Sequence, residues 1–276
     1  MKKRKGKHEK EASESSENDD SSSESVNEEF LNVDFEFFNV RHTDVSTLRN
    51  LLKQLIGPES ESFDISGLLE LILSQNLVGS VVKVDGIQSD PFAFLTVLNL
   101  NYHREKPCIK QILSYIMSMM SSNKDFCEAL NGLLEKSDLH TGLILSERIV
   151  NMPTQIVPSM YELLFEEIDW ALEDKEPYNF GHYIILSRSY REQVKRGFLK
   201  KKQKKDMKTV YFHPEDELFK KKSLYSMTYK YTKSDEGSNF RQPFQNPGIQ
   251  LQGEIIVISK NKLKEAIADL KSILTE

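Results

Sequence analysis

The chain has 276 residues, of which 38% are hydrophobic, with 37 Lys and Arg against 42 Asp and Glu and a net charge of −5. That is enough apolar material for a sizeable core in one large domain or two small ones. No apolar run reaches the roughly 18 residues of a membrane-spanning helix, and the basic start, Met1 to Lys10, lacks the apolar stretch of a secretory signal, so the expectation is a soluble intracellular protein without membrane insertion.

Residues 1–29 are nearly free of apolar side chains and cannot offset their ordering entropy, which predicts a disordered tail. Phe30 to Phe38 alternates apolar and polar positions and predicts the first strand, where the folded domain, 30–276, begins. Leu48, Leu51, Leu52 and Leu55 predict a helix that Thr43 or Asp44 can cap and that Gly57 and Pro58 end. A second helix is predicted over Ile65 to Gln75, then strands over Gly79 to Val84 and Phe92 to Leu100. Helices follow over Pro107 to Met120 and Phe126 to Leu134. Cys108 and Cys127, which fall in them, have no metal or redox spacing and read as reduced apolar thiols.

Leu139 to Leu145 predicts a strand, and Met160, Leu163, Leu164, Ile168 and Leu172 an amphipathic helix after the Pro153 to Pro158 loop. Strands over His182 to Ser189, Leu224 to Thr232 and Glu254 to Ser259 and a terminal helix over Leu263 to Leu274 complete the elements. The stretches 195–208 and 234–248 read as mobile loops. The order of elements gives a mixed α/β fold, about seven strands in a largely antiparallel sheet flanked by helices.

The usual catalytic motifs are absent: no GxSxG, Walker loop, GxGxxG or HExxH. His213, Glu215, Asp216 and Glu217 (HPEDE) form the densest group of titratable side chains, but no partner elsewhere has metal-ligand or acid–base spacing. The plainer reading is a strand-to-helix junction with Pro214 in the first turn and the carboxylates complementing the helix dipole. Ser146, Glu147 and Arg148, after a strand, could suggest a reactive serine, but the plainer reading is a capped strand exit. No catalytic, cofactor or metal residue is therefore expected, and the protein is predicted not to be an enzyme.

The charge blocks carry more. Lys2, Lys3, Arg4, Lys5 and Lys7 fit a nuclear-import signal in an accessible tail. Glu11 to Glu29 contains no Lys or Arg and fits either a guard for a cationic client or a solubilising tail. Ser16, Ser21 and Ser25, each with an acidic residue three positions on, are phosphorylation candidates. A second basic cluster, Lys200, Lys201, Lys202, Lys204 and Lys205, fits import or protein contact, a solvated loop, or nucleic-acid contact, and stays unassigned; nucleic acid is not expected as the main partner.

At VDFEFF (Val33 to Phe38), DPFAFLTVLNL (Asp90 to Leu100), LILSERIVNMP (Leu143 to Pro153), VPSMYELLFEEI (Val157 to Ile168) and YFHPEDE (Tyr211 to Glu217), the chain resembles the BCCIP family of eukaryotic nuclear proteins. The resemblance runs in order from about residue 30 to the carboxyl terminus. It implies a fold similar to GNAT acetyltransferases used without acetyl transfer. It also implies a chaperone of a basic ribosomal protein, universal large-subunit protein fourteen, in the nucleus and in nuclear export, with import and export receptors as further partners. A lipid kinase in fungi and cell-cycle or DNA-repair proteins in animals are implied as other partners, which leaves a scaffold as the alternative. A degenerate acyltransferase is the third reading. The GNAT cofactor loop, Q/R-x-x-G-x-G/A, is approximated only by QNPGIQ, Gln245 to Gln250, where Gln250 replaces the last small residue and the segment leads into a strand.

Overall fold

The computed structural model describes residues 34–135, 138–193, 207–232 and 249–275. Strand β1 (Glu36–Asn39) leads into α1 (Val45–Ile56), in which Leu48, Leu51, Leu52, Leu55 and Ile56 are buried at helical spacing. Gly57, with φ at +79°, ends this helix in a conformation that costs other residues strain. Asp44 stands at the N-cap, but its side chain does not cap the helix. It accepts from the Arg41 amide at 3.0 Å and from the fully buried Lys83 ammonium at 2.6 Å, an ion pair worth more to a buried charge than a helix cap would be. In α2 (Ile65–Ser74) capping is direct, Asp64 Oδ1 accepting the Gly67 amide at 2.8 Å.

Strands β2 (Ser80–Lys83) and β3 (Ala93–Asn99) are buried throughout, and α3 (Pro107–Met119) and α4 (Lys124–Glu135) follow. Both cysteines are free; Cys108 is buried and Cys127 half-buried. Next come β4 (His140–Arg148), α5 (Val157–Glu173), β5 (Phe180–Gln193), β6 (Met207–Tyr211), α6 (Glu215–Lys221), β7 (Tyr225–Tyr229), β8 (Ile249–Ser259) and α7 (Lys260–Thr275). No helix of the described residues is long and apolar enough to cross a membrane.

The strands form one mixed sheet in the order β1-β2-β3-β4-β5-β8-β7, with β6 paired to β5. Every pairing is antiparallel except β4 with β5. Because side chains alternate across a strand, Leu143, Ile184, Ile255 and Val257 meet α1 to α4 on one face, while Ile144, Tyr183, Ile185 and Ile256 meet α5, α6 and α7 on the other.

The expected mixed α/β fold is present, with eight strands among the described residues instead of about seven. The additional one, β6, begins at Met207 inside the stretch read as a loop up to residue 208; its sequence, MKTVY, is short and follows a lysine run. It is a strand because β5 offers it an open edge. Strands β4 and β5 also outrun their predicted ends, by the polar Ser146 to Arg148 and Tyr190 to Gln193. Residues 1–33, 194–206 and 233–248, which hold the tail and most of both predicted loops, lie outside the described residues.

Gly253 in β8 faces Tyr229 of β7 across the ladder, and the aromatic ring fills the space that a side chain would need. Gly253→Ala is expected to lower unfolding stability by about 1–3 kcal/mol through overpacking, read as a shift of the denaturant midpoint.

Candidate functional site

Strands β4 and β5 run side by side only from His140 and Phe180 to Ile144 and Ile185. Beyond that point β4 stays with β3 as far as Arg148, and β5 stays with β8 as far as Glu192. The sheet therefore opens at the carboxyl ends of its two parallel strands, the place where open α/β sheets usually receive ligands. Here β6 takes the edge of β5 vacated by β4, from Ser189 to Gln193, and its chain turns back into the opening at His213.

Charged side chains close the opening. On the α1 side the fully buried Glu147 receives the Arg188 guanidinium at 2.6 Å, His213 Nε2 at 2.9 Å, the Gln54 amide at 3.2 Å and the Arg148 backbone amide at 3.1 Å. On the opposite side Arg148 grips Glu215 with both nitrogens of its fork, Nη2 lying 2.9 Å from Oε2. Ser187 Oγ donates to Asp216 at 2.6 Å. One turn along α6, Lys220 lies 2.5 Å from the buried Glu254, which also accepts the Tyr211 hydroxyl at 2.8 Å.

Position sets protonation. Burial pushes the Glu147 carboxyl up, but Arg188 and His213 outweigh it and hold the group below the usual carboxylate range. Burial likewise lowers His213, and the Glu147 charge more than reverses this, so the imidazole favours its cationic form. Asp216 is pushed up to about 7, chiefly by burial and then by Glu215, against the opposing pull of His213.

His213, Glu215 and Asp216 offer ligand atoms all within 4.8 Å of one another, which is metal-like packing. His213 Nε2, however, donates to Glu147, both oxygens of Glu215 accept from Arg148, and one oxygen of Asp216 accepts from Ser187. Arg188 and His213 pair with Glu147, and Arg148 pairs with Glu215, while Asp216 is held toward its protonated form. A dication among His213, Glu215 and Asp216 would face the Arg148 guanidinium and displace the His213 proton, so the group is an ion network with no metal assigned. Beside it lies a cleft of about 160 Å³, lined among others by Gln54, Ile149, Val150, Arg188 and Phe212. The Phe212 ring covers the Arg188 guanidinium at 4.7 Å.

Two readings change. Ser146, Glu147 and Arg148 are no strand exit: all lie within β4, with Glu147 and Arg148 buried. In HPEDE the junction is real, with Pro214 at the N-cap of α6, yet only Glu217 behaves as a surface carboxylate, paired to Lys221 at 2.8 Å. Glu215 and Asp216 are buried partners of Arg148 and Ser187. Sequence reasoning missed Arg188 altogether; a charge inside HYIILSRS, on the face that Ile184 and Leu186 make apolar, was the available signal. Lys2, Lys3, Arg4, Lys5, Lys7, Ser16, Ser21, Ser25, Lys200, Lys201, Lys202, Lys204 and Lys205 lie outside the described residues. Of QNPGIQ only Ile249 and Gln250 are described, and both belong to β8.

Fold and site together define a mixed α/β protein whose sheet crevice is occupied by its own ion network. The BCCIP family model matches residues 30–219. Protein bcp1 of Aspergillus fumigatus is 46% identical over 91% of this chain and 90% of its own length, and protein bcp1 of Schizosaccharomyces pombe is 43% identical over 90% and 92%. The crystal structure of BCP1 from Saccharomyces cerevisiae superposes with a TM-score of 0.64 at 25% identity, covering 92% of this chain and 94% of that one. The chain belongs to the BCCIP family.

Arg148→Ala strands the buried Glu215 charge and is expected to cost about 3–5 kcal/mol, whereas replacing both partners with Met and Leu costs far less; denaturation of the two variants and the parent measures the difference. The pH dependence has a definite sign. His213, raised above 6.5, stabilises the fold fully below that value and loses its contribution as pH rises through the folded pKa. Asp216, raised from 3.8 to about 7, keeps its proton where the unfolded chain has lost it, so stability also falls across that interval. Glu147, being depressed, acts only on the acid side: its contribution is complete above 4.5 and lost as pH falls through the folded value. The melting temperature is expected to decline from about pH 4 to about pH 7 through Asp216 and to go on falling above pH 6.5 through His213, the lower part of the slope being flattened in D216N and the upper part in H213Q.

Proposed function

We propose that this chain is a non-enzymatic binding protein that escorts a basic large-subunit ribosomal protein, universal large-subunit protein fourteen, through the nucleus and toward export. The reading rests on kinship with the BCCIP family and on one observation: the crevice between β4 and β5 is filled by Glu147, Arg148, Arg188 and His213. The adjoining cleft, about 160 Å³, falls below the roughly 300–1,000 Å³ of ordinary small-molecule sites. A cofactor as large as acetyl-CoA finds no seat there.

A cationic ribosomal protein binds nucleic acid nonspecifically, and an acidic partner competes with that binding until assembly. The tail, Glu11 to Glu29, suits this role by composition, and Lys2 to Lys7 supply the import signal. Residence in the nucleus with shuttling to the cytoplasm follows from the same reading.

Co-expression of the ribosomal protein with this chain is expected to raise its soluble, RNA-free yield; equal solubility without the chain would sink the proposal. Titration calorimetry with acetyl-CoA up to millimolar concentration is expected to give no saturable heat, and a saturable isotherm would restore the acyltransferase reading. A purified native complex holding cell-cycle or repair proteins, without ribosome-assembly factors, would favour a scaffold instead.

A further inference from the structure

Helix α5 violates local stability rules along one exposed face. Glu162, Glu166, Asp169 and Glu173 succeed one another at helical intervals, and all are exposed. They form a line of like charges in which each repels the next. The helix contains no Lys or Arg to separate them. Glu173 and the adjacent Asp174 stand at the carboxyl end, where the helix dipole is already negative and a base is the favoured residue. Trp170, the only tryptophan of the chain, lies in the same stretch and is 50% exposed.

The amino-terminal part of the line is already served by α7. Lys271 lies 2.6 Å from Glu162, and the Lys264 ammonium sits 5.0 Å from the Phe165 ring. Among the described residues no ion pair reaches Glu166, Asp169 or Glu173. Tyr183 of β5 packs against Phe165 and is fully buried, its hydroxyl has no hydrogen-bond partner, and it feels the Asp169 charge. The repulsion, the uncompensated dipole and the exposed ring all count against the isolated helix, and they turn favourable together only when a cation covers this face.

We propose that the face of α5 around Trp170 docks a lysine- and arginine-rich segment of a partner protein. Bases of that segment pair with Glu166, Asp169 and Glu173, and one lies over the Trp170 ring, the strongest aromatic acceptor for a cation. The proposal rests on the escort reading for the basic character of the client, and it names the surface that meets it.

Trp170 makes the test direct, because tryptophan emission reports this site alone. Full-length chain titrated with oligolysine is expected to give a saturable, salt-sensitive change in that emission. The E166Q/D169N/E173Q variant is expected to bind about tenfold more weakly, as three exposed charge contacts of ordinary strength would require. Its melting temperature should be unchanged or higher, since the repulsion is relieved. Unaltered emission, or equal affinity in the variant, would overturn the proposal by placing the peptide elsewhere, for instance on the acidic tail. A change in peptide-free emission on replacing Lys200, Lys201, Lys202, Lys204 and Lys205 by Ala would overturn it too, by making the chain's own cluster the occupant. If the variant captures the ribosomal protein as well as the parent does, this face is wrong and the escort reading stands; if oligolysine binds as expected but the ribosomal protein does not, the escort reading fails and the face remains.

Discussion

The parting of β4 and β5 after Ile144 and Ile185 is the constraint on which the upper part of the molecule depends. Two strands that separate inside a sheet leave backbone and side chains without neighbours, and that space must be filled by protein or ligand. Here it is filled by Glu147 and Arg148 from one strand, Arg188 from the other, and His213 and Glu215 from the segment after β6. Burying so many charges is costly unless each is paired, so the network specifies where β6 and α6 must lie more than it adds net stability. The bidentate grip of Arg148 on Glu215 sets the start of α6, and Glu147 holds both Arg188 and His213. Lys220 and Glu254 then tie the other end of α6 to β8.

This closure bears on function through what it leaves available. The usual ligand site of an open α/β sheet is occupied internally, and the proposed recognition therefore uses an outer surface. The α5 face is one such surface: its charges do not help the helix, and Trp170 is half exposed instead of buried with Tyr161, Leu164 and Ile168. Local rules and the fold disagree along Glu166, Asp169 and Glu173, which is what the proposed partner would resolve. Kinship with BCCIP-family proteins and the proposed basic client are consistent with that partner being cationic.

Legibility in the sequence followed hydrophobic period. Helices α1, α2, α3, α5 and α7 and the interiors of β3, β4 and β5 repeat apolar residues at intervals that match their geometry, and their positions were recoverable within a few residues. The failures share a cause. Ser146 to Arg148 and most of Tyr190 to Gln193 are polar or charged strand, and β6 has only five residues behind a lysine run; a pattern built on burying apolar side chains assigns such residues to exits and loops. Asp44 misled in the same way: it occupies an N-cap position, but the buried Lys83 ammonium claims its carboxylate.

The sequence by itself determined the class of fold, the family, the main helices and the dense HPEDE group as the place where titratable residues gather, because these depend on local period and on strings of residues. The tertiary structure alone decided what the charges do. Glu147 precedes His213 by 66 residues and Arg188 by 41, and Arg148 precedes Glu215 by 67. No local pattern encodes such pairs. They form only because one parallel pairing and one returning strand bring three distant segments to the same opening in the sheet, where loss of water makes each partner obligatory.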